Sequence, residues 1–339
     1  MAMEIIEPGL LTTVQDMGRT GCGALGYSTN GACDKYSMKL ANLLAGNTDR
    51  MEQAAVLEFT MKGGVIRFTS SYVLALAGAD MAPVMNGNPV PMYAPVPVKA
   101  GDILILGMAL SGMRCYLAVR GGIGVPLIMG SRSTDLKCHL GGYGGRALKK
   151  GDVLEAGPEQ GDAVGWDFLS GENGLRFLAG EDEPWFRIPS SHYSYRGMER
   201  RLVLRTVPGP QEEAFTPYGI ETFTHSNYCL SHQCDRMACR LTGPAVETKG
   251  GSDMISDGIV EGSVQISSDG MPMIMMADHQ TTGGYAKIGT VVSTDIPALA
   301  QLRPGDGVVF RFISVEEGIE ACRKEYRKIQ WLKERMCME

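Results

Sequence analysis

The sequence predicts a mainly β protein, with a few short helices and a C-terminal helix, and hints at two related β-modules. Three observations lead there. The 339 residues include 44 glycines and 17 prolines, which favours short strands and tight turns over long helices. Short apolar runs at 263–266, 273–276 and 291–292 alternate with turns of Gly, Asp and Ser, the pattern of successive strands. Residues 98–104 (VKAGDIL), 148–154 (LKKGDVL) and 302–309 (LRPGDGVV) repeat one device, a Gly-Asp turn feeding an apolar strand, as at barrel rims.

Taken in order, strands are predicted at 3–8 and 10–14. A helix follows, capped by Asp34, with Tyr36, Leu40, Leu43 and Leu44 on one apolar face and Gly46-Asn47 as its stop. Asn42 falls on another face of that helix and reads as exposed, although it could also serve as a binding group. Further strands are expected at 56–60, 65–68, 72–77, 84–85, 103–106 and 115–119, with Asn86-Gly87 as a hairpin turn. Residues 155–200 lack a clean period and read as a linker. The second half has strands at 202–207, 227–230 and 307–313, and a short helix at 296–302 with Asp295 as its cap. The tail, 315–339, reads as a surface helix with a stripe of Ile319, Cys322, Tyr326, Ile329 and Leu332. The expected division is 1–200 and 201–314 for the two modules and 315–339 for the tail.

Composition excludes several classes. Apolar residues at 44 % and charged residues at 21 % describe an ordinary globular chain. A net charge of −6 argues against a nucleic-acid surface. No apolar run reaches bilayer length, and the first residues lack a signal-peptide pattern, so a cytoplasmic protein without membrane contact is expected. Nine cysteines, an odd number with no CxxC pair, suit reduced thiols. Cys229, His232, Cys234 and Cys239 lie close in sequence, yet their spacing matches no zinc pattern, and no metal is expected. Residues 21–26 fit GxGxxG but continue as loop instead of opening a helix, and no Walker A sequence is present.

The candidate binding tracts are polar and clustered. Gln15, Asp16 and Arg19 place an amide, a carboxylate and a guanidinium at a strand end, a set suited to gripping a polar planar ligand. Arg132 and Asp135 lie among hydroxyls in residues 130–135, and the glycine loop 141–146 permits close approach of a ligand or a tight turn. The densest tract is Asp278 to Tyr285, expected as a polar loop tip between two strands. Its His279 reads as a solvated loop histidine.

Six tracts together resemble the allophanate hydrolase subunit 2 / KipA family. They are residues 13–19, 130–135, 208–211, 235–237, 256–258 and 277–285. The resemblance runs from about residue 5 to residue 312 and implies cyclophilin-like β-barrel modules and a sibling subunit of the allophanate hydrolase subunit 1 / KipI type. The family's activities include ATP-dependent opening of 5-oxoproline to glutamate, with a possible third subunit, and carboxyl transfer from biotin to a urea nitrogen. A third is antagonism of a kinase inhibitor. The first is the preferred expectation, with ATP used by the complex at a subunit the sequence leaves open. Biotin enters only in the alternative, supplied by another protein, since no biotin-attachment pattern is present.

For a small-molecule substrate, the resemblance and the polar clustering nominate Asp16, Asp235 and Asp278 as acid/base groups. The nominated anchors are Gln15, Arg19, Asn42, Arg132, Asp135, Gln211, Arg236, Gln280, Thr281, Thr282, Gly283, Gly284, Tyr285 and Lys287. The chain departs from the family at Cys234 and Ala238, where Ser and Gly are common. A thiol hydrogen-bonds weakly, so a hydroxyl contact at position 234 is in question.

Overall fold

A computed structural model describes residues 2–157, 193–196 and 199–337. Most of the expected linker lies outside the described residues. The fold is mainly β, with four α-helices among the described residues: α1 (Lys35–Leu44), α2 (Pro217–His225), α3 (Ile296–Ala300) and α4 (Val315–Cys337). Two compact units emerge. Of the described residues, the first takes 2–20, 30–157 and 329–337, and the second takes 21–29, 193–196 and 199–328. The division therefore cuts α4 at Ile329 instead of separating a tail.

In the first unit, six strands (order Val153–Glu155, Ala2–Glu7, Val65–Phe68, Ile103–Ile105, Val84–Met85, Asn88–Pro89) form one sheet. Five more (Leu11–Gln15, Val56–Thr60, Ser111–Val119, Tyr72–Asp80, Pro95–Val98) form a second. Alternate residues of both sheets, among them Ile5, Leu57, Phe59, Ile66, Phe68, Leu74, Leu76, Leu117 and Val119, meet in one core. The intervening residues Val56, Ala75, Ala77, Tyr116 and Ala118 pack with Leu40, Leu43 and Leu44 of α1. Strands covered on both faces read as continuous apolar runs, which is why this region looked like strand after strand.

Local signals explain the connections. The Asp34 carboxylate accepts from the Ser37 backbone N–H at 2.8 Å and from its hydroxyl at 2.6 Å, a cap worth about 1 kcal/mol. Asn86 and Gly87 have φ of 50° and 85°, the left-handed pair of a two-residue hairpin. Each Gly-Asp recurrence closes the same turn. Asp102, Asp152 and Asp306 each donate their N–H back to residue i−3. Each also accepts that residue's N–H on its side chain, at 2.7 Å in all three. The glycines between have φ of 94°, 87° and 94°, as a type II turn requires.

The second unit contains a closed barrel of seven strands. Its order is Glu199–Pro208, Lys287–Val291, Ser263–Ile266, Pro272–Met275, Ala238–Thr242, Tyr228–Cys234 and Gly307–Phe312. The last strand returns to the first as the one parallel pair of the ring, from Arg201 opposite Gly307 to Thr206 opposite Phe312. Closure leaves no exposed edge within the ring. A separate ribbon pairs Asp253–Gly258 with Thr282–Tyr285.

Three expectations are corrected here. Asn42 is fully buried: its amide nitrogen donates to the carbonyls of Met51 and Ala54, both at 2.9 Å, because the chain folds back over α1. Asp295 does not cap α3 with its side chain. It is buried against Arg205, which pairs with it through side chain and backbone. The stripe on α4 is only partly buried: Ile329 and Leu332 join the core under α1 with Met336, whereas Ile319 and Tyr326 are exposed. A capping box that the sequence reading missed starts α4, with Ser314 and Glu317 exchanging side-chain-to-backbone bonds at 2.8 and 3.1 Å.

Candidate functional site

The expected site residues fall into a cluster in each unit. In the first, the strand Leu11–Gln15 delivers Asp16 to the loop 130–135, most of which is buried. One Asp16 oxygen accepts from the hydroxyls of Ser131 (2.6 Å) and Ser133 (2.5 Å) and from the Gly18 N–H (2.8 Å). The other accepts from the Arg132 N–H at 2.6 Å, and Ser133 Oγ also receives the Asp16 N–H at 2.9 Å. With four donors on a carboxylate that is 4 % exposed, Asp16 is arranged as a pin for the loop. It is poorly placed to exchange protons with a substrate.

Arg19 and Gln15 are equally inward, so the set expected to grip a ligand is spent on the protein's own groups. The Arg19 guanidinium donates to Asn30 Oδ1 at 2.7 Å and to the Ser133 carbonyl. Gln15 Nε2 reaches Thr13 Oγ1 at 3.0 Å and the Thr134 carbonyl at 3.4 Å. The glycine loop makes room for these contacts. A Cβ on Gly141 would lie 2.3 Å from Arg19 Nη2, and one on Gly142 would lie 1.9 Å from Thr134 Oγ1. The close approach it permits is to the protein's own side chains. Asp135 accepts from the N–H groups of Lys137 and Cys138, both at 2.9 Å, and so holds the next turn. Of these residues only Arg132 turns its guanidinium to an open cleft, with Nε on the Val125 carbonyl at 3.2 Å.

The second cluster lies on the barrel. Tyr228–Cys234 and Ala238–Thr242 form a hairpin whose tip is Asp235-Arg236-Met237. Asp235, exposed, accepts from the N–H groups of Met237 (2.7 Å) and Ala238 (3.0 Å) and so shapes the turn. Arg236 points inward and binds Asp278 through two bonds, Nε at 2.8 Å and Nη2 at 3.0 Å. The pair leaves the Asp278 side chain 17 % exposed. The Cys234 thiol lies 3.6 Å from the Arg240 carbonyl, so this position faces the protein's own backbone.

The tract 278–285 is not one loop. Thr282–Tyr285 is a strand, and Gly283 sits where a Cβ would lie 2.4 Å from Ile259 Cδ1. Thr281 accepts the Ile259 N–H through its carbonyl, and Tyr285 receives Gln265 Nε2 on its own. Gln280 and Thr282 are exposed, and Gly284 is half-buried. His279 is buried, with Nδ1 2.7 Å from the Gln280 carbonyl, while Ser28 Oγ donates to the His279 carbonyl at 2.7 Å. Segment 21–29, expected as a loop, thus holds this tract in place after a short 3₁₀ turn at Gly23–Leu25.

Beside it, Lys287 is buried and donates to Asp257 at 2.5 Å and to the Gly258 carbonyl at 2.8 Å. Gln211 completes the group, reaching Asp257 at 3.3 Å and accepting the Lys287 N–H at 3.2 Å. Hydrogen bonding from Lys287, helped by the Gly258 N–H, holds the Asp257 carboxyl below the usual carboxylate range.

Sequence reasoning did not nominate Asp257, although its tract was noted, nor Arg50 in the 3₁₀ turn Thr48–Arg50. It also passed over Glu58, buried inside an apolar strand, whose Oε2 accepts from Tyr116 Oη at 2.8 Å and the Cys33 N–H at 3.0 Å. The signal was available: a carboxylate in a run such as Val-Leu-Glu-Phe needs a donor. Among the described residues, no group of three or more His, Cys, Asp or Glu side chains could hold a metal ion.

Sheets and barrel of this kind, carrying these tracts in this order, define a carboxyltransferase-type β protein. The family described as carboxyltransferase domain, subdomain A and B, matches residues 25–312, and the chain belongs to it. It is 35 % identical over 330 residues to the C subunit of 5-oxoprolinase from Escherichia coli K12, covering 97 % of each chain. It is 31 % identical over 325 residues to urea amidolyase of Saccharomyces cerevisiae, covering 93 % of this chain and 17 % of that one. The crystal structure of the K. lactis urea amidolyase superposes with a TM-score of 0.82 at 29 % identity, covering 98 % of this chain and 20 % of that chain.

Proposed function

We propose that this chain is the C subunit of an ATP-dependent 5-oxoprolinase complex, opening 5-oxoproline to glutamate together with sibling subunits. The observation that carries the reading is coverage: the similarity to the E. coli 5-oxoprolinase C subunit spans 97 % of both chains. The sibling would be of the allophanate hydrolase subunit 1 / KipI type, in the cytoplasm. ATP would be used by the complex, at a subunit left open; the GxGxxG tract here is a 3₁₀ turn at Gly23–Leu25 that opens no helix to receive phosphates.

Ring opening breaks the lactam C–N bond, adds the hydroxyl of water to the carbonyl carbon and leaves a proton on the nitrogen. Of the three nominated carboxylates, Asp278 suits proton transfer best, since it is fixed in orientation by Arg236 and still reaches solvent. Gln211, beside the Lys287–Asp257 pair, supplies an amide for the substrate's polar groups. Purified chain mixed with the products of its neighbouring genes, 5-oxoproline and ATP should yield glutamate and ADP. Asp278→Asn should lower the rate by roughly 10²-fold or more while the complex still assembles. Active siblings without this chain would overturn the reading.

A second reading is a carboxyltransferase subunit whose biotin comes from another protein. It is favoured by the match to the carboxyltransferase family and by the urea amidolyase superposition. A complex that ignores 5-oxoproline but moves carboxyl groups from biotin to urea would decide for it.

A further inference from the structure

We infer that the first unit carries a binding site for a small oxyanion, a phosphate or carboxylate group held between Arg50 and Arg132. It shares no residue with the Asp278 cluster and is independent of the 5-oxoprolinase reading. Arg50, Arg132, Thr48, Gln53, Ile123 and Val125 line a cleft of about 250 Å³. Its charge is the first argument. Neither Arg50 nor Arg132 has a carboxylate partner for its side chain among the described residues. Asp49, which also lines the cleft, has its charge answered by Lys333 at 3.0 Å, and Glu52 pairs with Lys39 at 3.0 Å. Asp16, the buried acid behind Arg132, is occupied by Gly18, the two serines and the Arg132 N–H. Two guanidiniums on one cleft repel each other, and an anion between them removes that repulsion.

Preorganisation is the second argument. Arg132 spends Nε on the Val125 carbonyl at 3.2 Å and Nη1 on the Gln53 carbonyl at 3.4 Å. These bonds fix the plane of the guanidinium and leave Nη2 without a protein acceptor among the described residues. Its loop is clamped from behind by the Asp16 pin. Asn47, which also lines the cleft, is fixed by bonds to the Val119 carbonyl and the Gly121 N–H at 2.9 and 2.8 Å. The apolar floor of Ala54, Ala55, Ile123 and Val125 lowers the local dielectric and strengthens charge-assisted bonds. Size is the third. Ligand clefts for drug-sized molecules run from roughly 300 to 1,000 Å³. A cleft below that range suits a small anion and not a whole nucleotide.

Thermal denaturation of the full chain tests this. One arm titrates inorganic phosphate, the other sodium glutamate as a small carboxylate, both at constant ionic strength balanced with chloride. A saturable rise in Tm of about 3 °C or more is expected near 100-fold excess over Kd. The arm that saturates identifies the anion, and saturation in both supports the shared oxyanion chemistry. Arg50→Gln, whose side chain has no bond to lose among the described residues, should fold as the parent by circular dichroism and weaken binding at least tenfold. Arg50→Lys should restore part of it. No saturable shift in either arm would overturn the inference, as would an equal shift in Arg50→Gln and Arg132→Gln.

Discussion

The two clusters use the same ingredients, an aspartate and an arginine close to one another, and reach opposite electrostatic outcomes. In the barrel cluster both cations have a carboxylate: Arg236 binds Asp278 and Lys287 binds Asp257. In the first unit, Asp16 is satisfied by hydroxyls and backbone N–H groups, so Arg132 keeps its charge uncompensated. The lesson is that a carboxylate answered by neutral donors leaves a neighbouring cation available for a ligand, and one answered by arginine does not.

The largest effect expected from breaking this contrast is at Asp16. Asp16→Ala would leave two buried hydroxyls and two N–H groups unpaired, and should cost about 3–5 kcal/mol in urea denaturation. A smaller loss than for Arg236→Gln would invert the comparison. That second substitution leaves Asp278 partly hydrated, so the expected cost is about 1–3 kcal/mol. The turn repeat sharpens the contrast further. Asp152 adds a two-bond pair with Arg146, at 2.7 and 2.8 Å, to the turn that Asp306 closes by itself with Arg303. Asp152→Asn should therefore cost about 1–2 kcal/mol and Asp306→Asn about 0.5–1 kcal/mol.

Asp152 also predicts a pH dependence. The bonds from Arg146 hold its carboxyl below the usual carboxylate range. Its folded value lies below the unfolded one, so its stabilisation is complete above about pH 4 and is lost as pH falls through the lower folded value. Acid unfolding curves of the parent and Asp152→Asn should converge below pH 4. Parallel curves would show that the pair contributes no charge-dependent stability.

Much of the fold was legible in the sequence because its signals are local. Asp34 caps α1 through a bond three residues away, Asn86-Gly87 supplies the two left-handed positions of its hairpin, and the Gly-Asp turns each close within four residues. The six tracts were legible as family markers, and the family is the one they indicated. Long-range partners were not legible. Asp16 and Ser133 are 117 residues apart, and Arg236 and Asp278 are 42 apart. Nothing near Asp295 announces Arg205, nor anything near Asn42 the carbonyls that bury it.

Residue types and their short spacings thus determined the strands, turns, caps and family of this protein, because those depend on backbone geometry over a few residues. Only the tertiary structure decided which polar side chains became internal pins and which kept a charge to offer. That outcome depends on what distant segment arrives opposite each group, and a buried charge must accept whichever donors the fold brings to it.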